Sequence, residues 1–185
     1  MRIADADILI APGLGNSGPG HWQRRWAERM PTARIIEQAD WDEPVLANWV
    51  DRIHQEIMLS TRPVVLIGHS LSCAAIVHTA QLRLKDTKVR GAFLVSPPDF
   101  EGPNIPEEAR PFGNVPTDPL PFPSMVVVST TDPLTSVTIA GDSAAAWGSD
   151  LKLAGDAGHI NAASGHGPWP EGMLMFGELM KRLKA

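Results

Sequence analysis

At 185 residues, 43% hydrophobic and 20% charged, the chain is long enough to bury a core without a metal or disulfide. Its net charge of −5, with no basic stripe, argues against a nucleic-acid partner, and its one cysteine, Cys73, excludes an internal disulfide or a Cys-rich zinc site. No apolar run is long enough for a signal peptide or a bilayer span, so a single cytoplasmic domain over residues 1–185, without a membrane partner, is expected.

In chain order, "DADILIAPG" (5–13) reads as a strand running into a glycine-rich loop, "GLGNSGPG". "HWQRRWAERM" (21–30) follows as an amphipathic helix, with Trp22, Trp26 and Met30 four residues apart. "ARIIEQ" (33–38) is a second strand, and 44–58 a helix with Pro44 in its first turn and Leu46, Trp49, Ile53 and Ile57 on one face. The continuous apolar run at 63–68 is a third strand, of the kind covered on both sides, and it enters a helix near 71–85 almost at once. Residues 89–98 form a fourth strand. The stretch 99–123 holds seven prolines and reads as a loop or a small excursion over the sheet. A fifth strand (124–130), a helix through "IAGDSAAAWG", a sixth strand (151–155) and a closing helix (172–184) complete the chain. In that last helix Leu174, Leu179 and Leu183 mark the expected buried side. Strict alternation of strand and helix implies right-handed crossovers and a mostly parallel sheet with helices on both faces.

Sites in such sheets lie at the carboxyl ends of the strands. Three of those ends carry Ser70, in "GHSLS"; Asp132, in "STTDP"; and His159, in "GDAGHINAASG". Serine, aspartate and histidine in that order are the α/β-hydrolase sequence of triad residues. The chemistry accounts for the residue types: a serine hydroxyl needs a neutral imidazole to take its proton, and the imidazole needs a carboxylate to fix its tautomer. The N–H of Leu71, and that of Leu14 in the loop after the first strand, are the expected oxyanion donors.

Each residue has a plainer reading. Ser70 could cap a tight turn, and its G-x-S-x-G pattern ends in Ser72 instead of glycine. Asp132 could cap the next helix, and His159 could be a solvent-facing loop histidine. Asp99 is the rival acid and His166 the rival base; His54 and His78 lie within helices. His21 and His69 are candidates to line a substrate pocket, together with Phe100, Phe112, Phe122 and Trp169. Cys73 is expected to face the core. The histidines lack metal-ligand pairing and the glycine-rich loop lacks G-x-G-x-x-G, so neither a metal nor another cofactor is expected.

"PGLGNSGPGHWQRRW", "DW" at 40–41, "GHSLSCAA", "SPPD", "STTDP" and "GHINAASGHGPWPEG" together resemble the retinoblastoma-binding-protein-9-like serine hydrolases, nearly from end to end. The resemblance implies an α/β-hydrolase fold, a three-layer αβα sandwich with a six-stranded, mostly parallel sheet and no large cap domain. It implies Ser70, Asp132 and His159 as the triad, acting on small esters or amides, with an aminopeptidase-like activity as one implication. The L-x-C-x-E motif of some members is missing around Cys73, so retinoblastoma-type binding is not carried over. Two readings follow: a serine hydrolase working through an acyl-enzyme, or a non-catalytic module of the same fold that binds a small molecule or a protein.

Overall fold

The computed structural model describes residues 1–83 and 88–184. Six strands form one sheet: β1 (Asp7–Ala11), β2 (Ala33–Ile35), β3 (Val64–His69), β4 (Val89–Val95), β5 (Ser124–Val128) and β6 (Asp150–Leu153). Their order is β2-β1-β3-β4-β5-β6, and every pair is parallel. The chain first moves outward from β1 to β2, then returns past β1 to β3 and continues to β6. The reversal places the topological switch between β1 and β3, where a crevice opens at the carboxyl ends.

Each strand sends alternate side chains to opposite faces. Leu66, Leu94 and Val126 pack with α2 (Leu46–Leu59), α3 (Leu71–Arg83) and α4 (Val137–Trp147) through Trp49, Ile53, Ile76 and Trp147. Val65, Ile67, Phe93 and Val127 face α1 (Trp22–Arg29) and α5 (Pro170–Arg182), meeting Trp22, Trp26, Phe176 and Leu179. The central strand β3 is buried at every position, which is why its sequence is a continuous apolar run.

The expected elements are present, although β2 stops at Ile35 and β4 at Val95, short of the expected 38 and 98. Strands β5 and β6 also end two residues early, and two further expectations differ. Pro44 lies before α2, whose N-cap is Val45. Leu174 is 72% exposed, because the buried stripe of α5 runs through Gly172, Phe176, Leu179 and Met180, and a residue two positions after Gly172 points to the opposite side. The expected end of α3 at residues 84–85 lies outside the described residues. The Pro-rich excursion holds one short 3-10 helix, Glu107–Phe112, and no separate cap. Among the described residues no helix is long and apolar enough to cross a membrane.

Candidate active site

The junction of β3 and α3 leaves no room for a loop. Ser70 takes up the turn by itself, with φ of 54°, in the left-handed region that a β-carbon disfavours. Its N–H donates to the Val95 carbonyl (2.9 Å), and its own carbonyl accepts from the Cys73 N–H (2.9 Å). The strand end and the helix start are thereby locked, and the hydroxyl is held at the mouth of the crevice. A β-carbon on Gly68 would stand 2.8 Å from Cδ1 of Ile76 and 3.3 Å from the Cys73 nitrogen and the Ser72 carbonyl oxygen, so a side chain there would push on Ile76 and on the first turn of the helix.

Ser72 fills the position where the turn pattern ordinarily has a second glycine. Its buried hydroxyl donates to the Pro12 carbonyl, tying the loop after β1 to the elbow. The same contact surface explains Gly13: a β-carbon there would sit 2.9 Å from the His69 carbonyl and 3.0 Å from Cβ of Ser70. Leu14 follows directly. The loop is held from its other side by the Gly15 N–H, which donates to the Trp41 carbonyl (2.9 Å). No acceptor among the described residues meets the N–H of Leu14 or of Leu71, as a pair of oxyanion donors requires.

Asp132 and His159 arrive from the ends of β5 and β6. Nδ1 of His159 lies 2.9 and 3.0 Å from the two Asp132 carboxylate oxygens, and Nε2 lies 2.9 Å from the Ser70 hydroxyl. A carboxylate only accepts, so Nδ1 carries the proton and the Nε2 lone pair faces Ser70. The Asp132 side chain is fully buried, and the His159 ring is 12% exposed. Asp132 also accepts the Leu134 N–H (3.0 Å), which leaves it few rotamers. The two loops are stitched together behind the pair. Ser129 accepts the Ala157 N–H (2.9 Å), and Thr131 accepts the Gly158 N–H (3.1 Å) while donating to Asp156 (2.7 Å).

Two ring donors grip the histidine loop from the front. His69 Nε2 donates to the His159 carbonyl, and Trp22 Nε1 donates to the next carbonyl, that of Ile160, both at 2.9 Å. His69 is therefore the Nε2–H tautomer. Burial holds its pKa well below the ordinary histidine range, with the neighbouring His159 and His21 acting in the same direction. His21 packs edge-on against His69 at 4.9 Å and caps α1, its Nδ1 accepting from the Gln23 N–H (3.2 Å). Burial, aided by His159 and His166, lowers its pKa to about 4. Both rings are neutral at physiological pH.

The rival residues lie elsewhere. Asp99 accepts from Glu101 and lines a separate pocket beside Phe100 and Trp147. His166 contacts Ser164 and Trp169, and His78 donates to the Phe112 carbonyl (3.2 Å). Cys73 is buried, and desolvation raises its thiol pKa.

Of the expected pocket residues, His21 and His69 do line the cavity at Ser70. Phe112 and Trp169 do not: Phe112 is fully buried against Trp49, and Trp169 packs among Trp22, Trp26 and Phe176. Phe122 belongs to the core, and Phe100 borders the Asp99 pocket. The Pro-rich excursion reaches Ser70 through Ile105, Pro106 and Ala109 instead. No sequence signal marks these small side chains. Asn161, which also lines the cavity, stands within the motif around His159. A separate cleft of about 490 Å³, lined by Gln38, Asn48 and Gln55 among others, contains no histidine, serine or cysteine in its lining.

The sequence profile of the serine hydrolase family matches residues 8–178. A structure described as a YdeN-like hydrolase from Pectobacterium atrosepticum is 34% identical, with a TM-score of 0.86 over 96% of this chain and 91% of that one. The ydeN gene product of B. subtilis is 18% identical, with a TM-score of 0.80 over 95% and 98% of the two chains. A hydrolase of the α/β superfamily from Xanthomonas campestris is 19% identical, with a TM-score of 0.62 over 94% and 98%. The two more distant likenesses show the fold alone. No curated protein matches the chain.

Proposed function

Because the chain belongs to the serine hydrolase family, we propose that it cleaves small carboxylic esters or amides through an acyl-enzyme on Ser70. The observation that carries this reading is the unbroken line from the Asp132 carboxylate through His159 to the Ser70 hydroxyl, at 2.9 Å on each side of the ring.

In the first half-reaction, Ser70 Oγ attacks the substrate carbonyl as its proton passes to Nε2 of His159. Asp132 stabilises the resulting imidazolium and keeps its tautomer. The oxyanion forms against the N–H groups of Leu71 and Leu14, whose positions are set before substrate arrives. His159 then gives the proton to the departing oxygen or nitrogen as the carbon–heteroatom bond breaks. A water, deprotonated by the same nitrogen, releases the acid. The lone cysteine, a buried thiol, suits a reducing cytoplasm, where we place the protein.

A fluorophosphonate probe should label the protein at Ser70, and Ser70→Ala should lose both the label and ester turnover. Undiminished labelling of the alanine variant would remove Ser70 from the nucleophile's role. Full folding without any labelling or turnover by the native chain would favour the binding-module reading.

A further inference from the structure

Ser70 stands on a rim between two chambers, which also share Leu14 and His159. The chambers differ in chemistry. One, about 240 Å³, is walled by Asn16, His21, His69 and Asn161, with Ala162 and Ala163 at its edge. The other, about 160 Å³, is walled by Leu71, Pro98, Ile105, Ala109 and Leu134.

We propose that the apolar chamber holds the acyl group and the histidine-lined chamber holds the leaving group. The substrate would then join a short aliphatic or benzoyl-sized acyl group to an uncharged, polar alcohol or amine. This inference rests on the acyl-enzyme reading above.

Proton transfer fixes the direction. The departing atom takes its proton from Nε2 of His159, so its substituent must lie beside the His159 loop. That loop, through Asn161, Ala162 and Ala163, builds a wall of the polar chamber only. With the carbonyl oxygen turned to the Leu71 and Leu14 amides, the acyl chain is left the remaining direction, under the Pro-rich excursion. The bonds balance as an ordinary acyl transfer. The Ser70 proton goes to His159 as the Oγ–carbon bond forms, and then to the leaving oxygen or nitrogen as its bond to the acyl carbon breaks.

The lining chemistry agrees. No acid, lysine or arginine lines the polar chamber, and burial keeps His21 and His69 uncharged at neutral pH. It offers hydrogen-bonding groups without a net charge, which suits a neutral polar group better than a phosphorylated or carboxylated one. Apart from Ser70 and His159 at its rim, the apolar chamber has no polar side chain in its lining to satisfy a polar acyl substituent. An apolar cavity of about 150 Å³ accommodates a benzene ring, so this one accepts an acyl group of about six carbons.

Two substrate series test the assignment: 4-nitrophenyl esters from acetate to decanoate, and butyrate esters of methanol, glycerol, phenol and 1-naphthol. For the native chain kcat/KM should peak near butyrate or hexanoate and fall by at least about tenfold at decanoate, the scale of a few misfitted methylenes. Ile105→Ala should move the acyl optimum to longer chains, and Ala109→Leu, a second probe of the same wall, should shorten it. Ala162→Trp should depress the naphthyl ester relative to the methyl ester by about tenfold, with the acyl optimum in place. If the excursion variants alter the leaving-group series and Ala162→Trp alters the acyl series, the assignment is reversed and the inference falls, while the reaction stands. An acyl profile insensitive to both Ile105→Ala and Ala109→Leu also overturns it. Absence of Ser70-dependent turnover on every ester overturns the reaction itself.

Discussion

Two neighbouring strands of this sheet end in the same way and come to different chemical ends. β3 closes on Ser70 and β4 on Ser96, with φ of 54° and 52°. Each serine N–H donates to the carbonyl of the next strand, Ser70 to Val95 (2.9 Å) and Ser96 to Val127 (2.8 Å). Beyond that they part. Ser70 is followed by Leu71 and a helix, and its hydroxyl meets His159. Ser96 is followed by Pro97 and Pro98, so no N–H succeeds it to bind an oxyanion. Its hydroxyl is buried and has no partner among the described residues. Backbone strain at a strand end therefore does not make a nucleophile. On the proposed reading, the supply of a base on one side and of free N–H groups on the other does.

The largest expected contrast lies between the two hydroxyls. Ser70→Ala should lower kcat by about 10⁴ to 10⁶, as loss of one member of a cooperating triad does. Ser96→Ala should leave turnover close to native, and a comparable loss there would break the comparison. Next comes the acid that serves only one of the two serines. Asp132→Asn should lower kcat by about 10⁴ through the wrong imidazole tautomer, and Asp99→Asn should cost little. Steady-state kinetics on one small ester ranks all four variants.

The histidines set the two strand ends apart in acid. For His21, whose pKa is about 4 in the folded chain and about 6.5 when unfolded, the unfolded state binds more protons between those values. Stability therefore falls as the pH drops through that window, by about 1.4 kcal/mol per unit at most from this one ring. His21→Asn keeps a good N-cap for α1 and removes the titration, so its stability against urea between pH 6.5 and 4.5 should vary less steeply than that of the native chain. An unchanged slope would exclude His21 as a source of acid sensitivity.

Ser72 sharpens the comparison at the level of the loop. Ser72→Gly restores the common turn pattern yet leaves the buried Pro12 carbonyl without its donor, at about 1–3 kcal/mol. We expect lower stability and a lower kcat, with KM changing less, because the tie positions Leu14. A gain in both would show the hydroxyl to be dispensable. The smallest effect concerns strain itself. Ser96→Gly should relieve about 1–2 kcal/mol of left-handed strain, less about 0.5–1 kcal/mol for glycine's freedom when unfolded. A slight rise in Tm with native activity is the expected outcome, whereas Ser70→Gly should show a comparable rise with activity abolished.

The sequence by itself determined the elements and their layering. The run Val64 to Ile67, alternate strands and helices, and tryptophans four residues apart in α1 are local patterns, and local patterns are set by backbone geometry. It also placed Ser70, Asp132 and His159 at strand ends in hydrolase order, and the structure brings these three side chains into one hydrogen-bonded line. What surrounds that line was decided only in three dimensions. Phe112, Phe122 and Trp169 went to the core because large rings gain most from full burial, leaving Ile105, Pro106 and Ala109 to form the wall beside Ser70. Leu174 faces outward because its phase on α5, not its hydrophobicity, sets its direction. The Ser72 tie to Pro12, and the grip of His69 and Trp22 on successive carbonyls of the histidine loop, join residues 60, 90 and 138 positions apart. No periodicity encodes such contacts, since they exist only once the sheet has brought its strand ends together.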